Sequence, residues 1–285
     1  VVDYVSFANE RKEAYQICTM HYTDKYYEKR PMNNAAIGHL KNIANNLKQL
    51  KQRGINTASY VWENEVLKFP VINGTAMSDV LIDCIKHEDI NAVMKWLNLM
   101  EKDIEKSGRT TIKANEKILD VGYIDMIPQN AILNEDKQLI WFDQEWKMED
   151  VPVKYILYRG IKILYDFHAE LESFVTKEYL WEKCGFNEHI LEYEKLDKEF
   201  YQLVIDDDSP LLNDVSKKEV KINIEKLDGI DSPVEELLQF VSGSSNIYIY
   251  GKGRNGYKVR GLLDQFKIAY QGFLLSDGEL KGDEM

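Results

Sequence analysis

The sequence predicts an α+β fold: a small antiparallel sheet first, a mainly helical body after it, and a short βαβ unit at the C-terminal end. Three observations carry this prediction. Residues 3–8 and 15–22 alternate and are rich in aromatic and β-branched side chains. From residue 32 to about 205, apolar positions recur mostly at helical spacing, interrupted by two hairpin patterns. Near the end, an apolar run leads straight into a glycine-rich loop and a further helical pattern. At 285 residues the chain is too long for one small core and suits two lobes. The expected boundaries are 1–72 for the sheet lobe, 73–230 for the helical lobe and 245–285 for the terminal unit.

The strands at 3–8 and 15–22 form a hairpin through the charged link Asn9-Glu10-Arg11-Lys12-Glu13, and a third strand over 25–30 ends at Pro31. An amphipathic helix follows over 32–52, with Ile37, Leu40, Ile43, Leu47 and Leu50 on one face and a stop near Gly54. Segments 59–63 and 66–72 make a second hairpin around Asn64. The link Val71-Ile72-Asn73-Gly74 then reaches a helix opening at Ser78-Asp79, with Gly74 supplying a positive φ. Asp89 caps a helix through Lys106, whose stripe of Val93, Leu97, Met100 and Ile104 reads as core. Helices return over 152–168, with Arg159 inside an apolar face as a candidate partner for a carboxylate at the site's floor, and continue to about 205. Asp206-Asp207-Asp208-Ser209-Pro210 reads as a loop.

Chemistry concentrates between Gly122 and Trp146. Apolar runs at 131–133 and 139–142 flank the polar turn 134–137, a hairpin that folds Asp125, Asn130 and Asp143 towards one another. Mg²⁺ prefers a few hard oxygen ligands plus phosphate oxygens, so Asn130 and Asp143 are the candidate metal ligands. A further carboxylate must orient or accept the proton of an attacking hydroxyl, and Asp125 is placed for that. The chemistry that wants this trio is phosphoryl transfer from Mg-ATP.

The loop Asp125-Met-Ile-Pro-Gln-Asn130 and the later Phe142-Asp143-Gln144-Glu145-Trp146 resemble the protein-kinase-like superfamily. There, Asp-x4-Asn is followed across a hairpin by the metal-binding Asp of Asp-Phe-Gly. Asp-Gln-Glu in place of Asp-Phe-Gly is closer to the small-molecule branch of aminoglycoside and choline kinases. Together with Glu28-Lys29-Arg30-Pro31, these segments look similar to the kinase module of the bifunctional methyltransferase–kinases that cap bacterial O-antigen chains. The resemblance covers about residues 3–205. It implies a bilobal kinase-like fold, ATP and Mg²⁺ as cofactors, a sugar or small-molecule hydroxyl as acceptor, and a place in surface-polysaccharide biosynthesis. It also implies that a cation of the third strand steadies the phosphates, Lys29 with Lys25 and Arg30 as the alternatives beside it, and that the hinge at Val71, Ile72 and Asn73 holds the adenine. Tyr123, where protein kinases carry a histidine, is then a packing substitution, and Glu145 adds charge beside a second metal position.

Two features depart from the family. The 9–13 link has no glycine, so a phosphate cover uses side chains such as Arg11 or Lys12, or the loop stays open. No acidic residue occurs between Glu28 and Glu63, so the usual Lys–Glu ion pair with the first helix is missing. Either a non-acidic partner orients Lys29 or the site has weakened. The rival reading is a pseudokinase, a binding or scaffolding module of a multidomain glycan-assembly enzyme.

A net charge of −12 argues against a nucleic-acid backbone as partner. The chain has no eighteen-residue apolar run and no signal pattern at its start, which reads as a cytoplasmic protein without a membrane span. Starting at Val1, it reads as a fragment of a longer polypeptide. Cys18, Cys84 and Cys184 lack metal spacing and are expected to be reduced. At the C-terminus, a strand over 246–250 enters Gly251-x-Gly253-x-x-Gly256, then a helix over 257–266 and an apolar run at 272–275. This resembles the start of a Rossmann-like domain, with Asp277 at ribose distance. One βαβ unit cannot bury both faces of a parallel sheet, so nucleotide binding by this segment alone is not expected.

Overall fold

The computed structural model describes residues 2–23, 25–113, 115–206, 247–250, 259–260, 263 and 268–274. Residues 2–206 form one compact unit, and the described residues after 206 belong to a second.

The first unit opens with a five-stranded antiparallel sheet: β1 (Val2–Phe7), β2 (Ile17–Tyr22), β3 (Tyr26–Pro31), β4 (Val61–Glu63) and β5 (Val66–Pro70), in the order β1-β2-β3-β5-β4. Lys29 stands directly opposite Thr19 and Leu67 in this sheet. Cross-strand partners share a face, so Lys29 points to the same side as Leu67. That side is covered by α1 (Ile37–Gln52), whose Leu40, Ile43 and Leu47 pack with Ile17, Leu67 and Phe69. Each fully buried aliphatic side chain contributes about 2 kcal/mol. The helix starts later than the apolar spacing suggests, because the Asn33 side chain accepts a hydrogen bond from Ala36 N and caps a short 3-10 turn first.

Residues 71–74 join β5 to β6 (Thr75–Ala76), which pairs with β9 (Ala131–Leu133), itself paired with β10 (Leu139–Trp141). Gly74 has φ +144°, and a Cβ there would lie 2.5 Å from the Leu133 carbonyl oxygen, so both conformation and space demand glycine. The β9–β10 hairpin falls where the sequence places it, its turn closed by Asn134 Oδ1 accepting from Gln138 N and by Lys137 in the left-handed region. The helical part comprises α2 (Met77–Lys86), α3 (Ile90–Ser107), α4 (Val153–Phe167), α5 (Lys177–Cys184) and α6 (Ile190–Val204). Asp89 caps α3 through Ala92 N, as expected.

The helical body also holds the unit's third antiparallel sheet, which the sequence reading did not expect: β7 (Thr110–Lys113), β8 (Glu116–Tyr123) and β11 (Lys147–Pro152), in the order β11-β8-β7. The central strand β8 buries Ile118 and Leu119 in succession, and β11 carries three charged residues and a proline. Neither shows the two-residue alternation by which a half-buried strand is recognised.

Gly160 on α4 lies against the 128–130 turn, where a Cβ would meet Pro128 Cδ at 2.8 Å. Glycine to alanine inside a helix ordinarily stabilises by about 1 kcal/mol. Here the sign reverses: Gly160→Ala is expected to destabilise by about 1 to 3 kcal/mol through overpacking, read as a lowered melting temperature. A melting temperature raised above wild type would show that the loop yields freely.

Among the described residues no helix is long and apolar enough to cross a membrane. All three cysteines are free. In the second unit, β12 (Tyr248–Tyr250) and β13 (Gly272–Leu274) pair in parallel, with Ile249 opposite Phe273. The Gly251–Gly256 loop, Asp277 and most of the helix expected over 257–266 lie outside the described residues.

Candidate functional site

Five segments of the first unit converge on one point. β3 contributes Lys29, α1 contributes His39 and Asn46, and the β1–β2 link contributes Arg11. The segment after β8 brings Asp125 and Asn130, and the segment after β10 brings Asp143 to Trp146. Lys29 Nζ lies 2.5 Å from Asp143 Oδ1 and 2.8 Å from Glu145 Oε1. The other Glu145 oxygen, Oε2, accepts from Arg11 Nη1 at 2.5 Å and lies 3.1 Å from His39 Nε2. Glu145 is therefore a hub for two cations and an imidazole, and it is buried.

Asp125 sits beneath this hub. Its Oδ2 accepts from the backbone N–H groups of Glu145 and Trp146, both at 3.1 Å. Its backbone carbonyl accepts from Asn130 Nδ2 at 3.1 Å and from Gln144 Nε2 at 3.0 Å. Asn130 in turn accepts, through its carbonyl, from Phe142 N at 3.0 Å. The two ends of the hairpin are thus stitched together in the way the spacing predicts. Asn46 Nδ2 donates to the carbonyls of Gln144 and Glu145, and Tyr123 OH donates to Gln49 Oε1. These contacts fasten α1 to both ends of the site, and Tyr123 acts as a packing and anchoring residue. Asp143 has φ +54°, a left-handed conformation that costs a residue with a Cβ roughly 1 to 2 kcal/mol. An aspartate tolerates it better than most, and it turns the chain sharply between β10 and the hub.

Burial pushes the Asp125 carboxyl up to about 7. The Arg159 charge opposes that shift, and the carboxylates of Glu145 and Asp143 reinforce it. Burial likewise raises Asp143, against the pull of Lys29. Glu145 goes the other way: burial alone would raise it, but Lys29 and Arg11 outweigh burial and hold it well below the usual carboxylate range. Burial opposes the charge on Lys29, yet Asp143 and Glu145 raise its pKa and keep it cationic.

The structure gathers Lys29, Asp125, Asn130 and Asp143 in one place. Val71, Ile72 and Asn73 form the β5–β6 link, with Val71 exposed and Ile72 packed against the core under the sheet. One expectation needs correction. Lys29 is not left without an acid: Glu145, from the same stretch as Asp143, takes the place that an acid on the first helix would fill, and α1 supports Glu145 through His39. Both oxygens of Glu145 are already committed to protein groups. Arg159 pairs with Asp197 of α6 at 2.5 Å and not with one of the site carboxylates, half-buried Lys162 contacts the other Asp197 oxygen, and the Arg159 guanidinium lies 4.7 Å from the Phe200 ring centre. His39 and Asn46 were missed. Their signal was two polar residues seven apart on α1, each followed by a leucine of the core stripe.

The donor set fits a hard cation and phosphate. Asn130 spends its Nδ2 on Asp125 and leaves Oδ1 available as an oxygen ligand. Asp143 Oδ1 is closed off from solvent and has the Lys29 ammonium 2.5 Å away as its charge partner. A cavity of about 580 Å³ lies elsewhere, lined by Met94, Trp96, Leu99 and three lysines along α3 and the β9–β10 turn. Lys29, Asp125, Asn130 and Asp143 do not line it.

No family model matches the chain, and no curated protein matches it. Among solved structures, it is similar to the ternary complex of streptomycin, ATP and APH(2")-IIa. Identity is 9%, the match covers 80% of this chain and 92% of that chain, and the TM-score is 0.34.

Proposed function

We propose that this chain is a bilobal, kinase-like phosphotransferase that moves the γ-phosphoryl group of Mg-ATP to a hydroxyl of a small molecule or glycan. The observation that supports this most is the meeting of Lys29 with Asp125, Asn130 and Asp143, a strand lysine with the two ends of a hairpin far from it in sequence. Asp125 orients the acceptor hydroxyl and takes its proton. A carboxylate tethered by two backbone amides and titrating near 7 is suited to that task at neutral pH. Lys29 neutralises phosphate charge, and the β5–β6 link at Val71, Ile72 and Asn73 offers backbone groups to the adenine. Asn130 Oδ1 and the Asp143 carboxylate would hold Mg²⁺, which when bound neutralises charge on the phosphates. Catalysis is then mainly positioning and electrostatic stabilisation. A sugar hydroxyl of a surface polysaccharide as acceptor, within a longer multidomain enzyme, follows from the sequence resemblance alone. The scaffolding alternative drew on the missing helix acid and the glycine-free link; Glu145 supplies that charge from another segment, and the glycine-free link remains its support.

The test is a thermal melt with ATP, with and without Mg²⁺, on wild type and Asp143→Asn. Ligand at a hundred times its Kd adds about 2.7 kcal/mol to stability, a rise of several degrees. Wild type is expected to show the rise only with Mg²⁺ present, and Asp143→Asn to lose it. An equal rise in both proteins, or none in wild type, removes this reading.

A further inference from the structure

The glycine-free β1–β2 link leaves open which group covers the phosphates, and the structure separates the two cations that the sequence offered. Lys12 is turned away: its Nζ donates to the Gln202 carbonyl at 3.0 Å on the far end of α6. Arg11 is turned inward, with Nη1 on Glu145 Oε2 while Lys29 Nζ holds Oε1 of the same carboxylate. The two cations are therefore one carboxylate's width apart. Arg11 is partly exposed, at 22% of its side chain. Its guanidinium lies 5.8 Å from the Trp146 ring centre. One of its five N–H groups serves Glu145, and the others have no acceptor among the described residues.

The backbone that carries Arg11 is held in place. Gln16 Nε2 donates to the Arg11 carbonyl at 2.9 Å, and Arg11 forms an isolated bridge with Ile205. Lys12 N donates to Val204 O at 2.9 Å and Asp206 N to Glu10 O at 3.0 Å. A glycine-rich cover works by letting backbone amides approach phosphate. This link is instead tethered to the end of α6 and presents a side chain.

Resting on the phosphotransferase reading, we infer that Arg11 is a phosphate-binding residue: its guanidinium fork, docked on Glu145 beside Lys29, grips the polyphosphate of the donor nucleotide in place of glycine-loop amides. Planar, multi-donor recognition of phosphate is what arginine does and lysine does not. Glu145 keeps both cations aimed before the nucleotide arrives, so little side-chain order is lost on binding.

The experiment is calorimetric titration of the full chain with Mg-ATP and with adenosine, for wild type, Arg11→Ala, Arg11→Lys and Lys12→Ala. Arg11→Ala is expected to weaken Mg-ATP at least tenfold, with adenosine affinity within twofold of wild type, and Lys12→Ala to match wild type for both. Arg11→Lys keeps the charge beside Glu145 and is expected to remain several-fold weaker for Mg-ATP. It decides the matter if Arg11→Ala does not fold. Mg-ATP affinity equal to or tighter than wild type in Arg11→Lys, or in a folded Arg11→Ala, overturns the inference and leaves the phosphotransferase reading standing. A wild type that binds adenosine but not Mg-ATP overturns both.

Discussion

Asp125→Asn is expected to lower phosphoryl transfer by about 10² to 10⁴, the range attributed to a positioned general base, while leaving the protein at least as stable as wild type above pH 7. The two halves of this result share one cause. Burial raises the Asp125 carboxyl to about 7, far above the pKa of an aspartate in the unfolded chain, near 3.8. A carboxyl shifted upward contributes its stabilisation below the unfolded value and loses it as pH rises through the folded value. At pH 8 the wild-type fold therefore carries a buried charge whose cost is only partly offset by Arg159. Asparagine removes that charge, and its Oδ1 can still accept from the N–H groups of Glu145 and Trp146. Thermal melts across pH 5 to 8 should show the variant gaining on wild type as pH rises, and wild-type kcat/KM should climb through about pH 7. Retained turnover in the variant, or a stability difference that does not change with pH, would contradict the assignment of Asp125.

How much of this site could be read in the sequence depends on how local each relation is. Asp125, Asn130 and Asp143 were legible together because one hairpin returns the chain on itself, and a hairpin needs only two apolar runs and a turn to be recognised. Lys29 was placed only through the family resemblance, with Lys25 and Arg30 beside it left as alternatives. Its partner was not legible. The contact with Glu145 spans 116 residues, and no spacing rule connects a strand lysine to an acid two positions after Asp143. The family expectation pointed to the first helix for that acid, where there is none. The same helix contributes His39 and Asn46, which a periodicity search passes over because it scores apolar positions. In the fold, α1 and α3 followed their leucine and isoleucine spacing. The β7-β8-β11 sheet escaped because β8 buries consecutive residues and β11 is too charged to look like a strand. Only the register, Lys147 opposite Tyr123 through Pro152 opposite Ile118, makes them one sheet.

Replacing Glu145 is expected to have the largest effect on stability of any single change at the site. Its carboxylate balances Lys29 and Arg11 and contacts His39, and removing one member of a buried ion pair leaves an uncompensated charge that costs about 3 to 5 kcal/mol. Glu145→Ala is therefore expected to melt many degrees lower than wild type or to accumulate unfolded. Glu145→Gln keeps the shape, and its amide nitrogen must face one of the two cations, so it should fall between the two. The pH dependence gives the independent check. Because Lys29 and Arg11 hold the Glu145 carboxyl well below its ordinary value despite burial, its contribution is present above the unfolded pKa near 4.5 and is lost as pH falls through the lower folded value. Wild type should therefore lose stability steeply on the acid side of 4.5, and Glu145→Gln should lose markedly less over the same interval, starting from a lower plateau at pH 7. If Glu145→Gln melts within a degree of wild type at pH 7 and follows the same acid limb, then Asp143 alone balances the cations. The hub would then be a surface of contact without energetic weight.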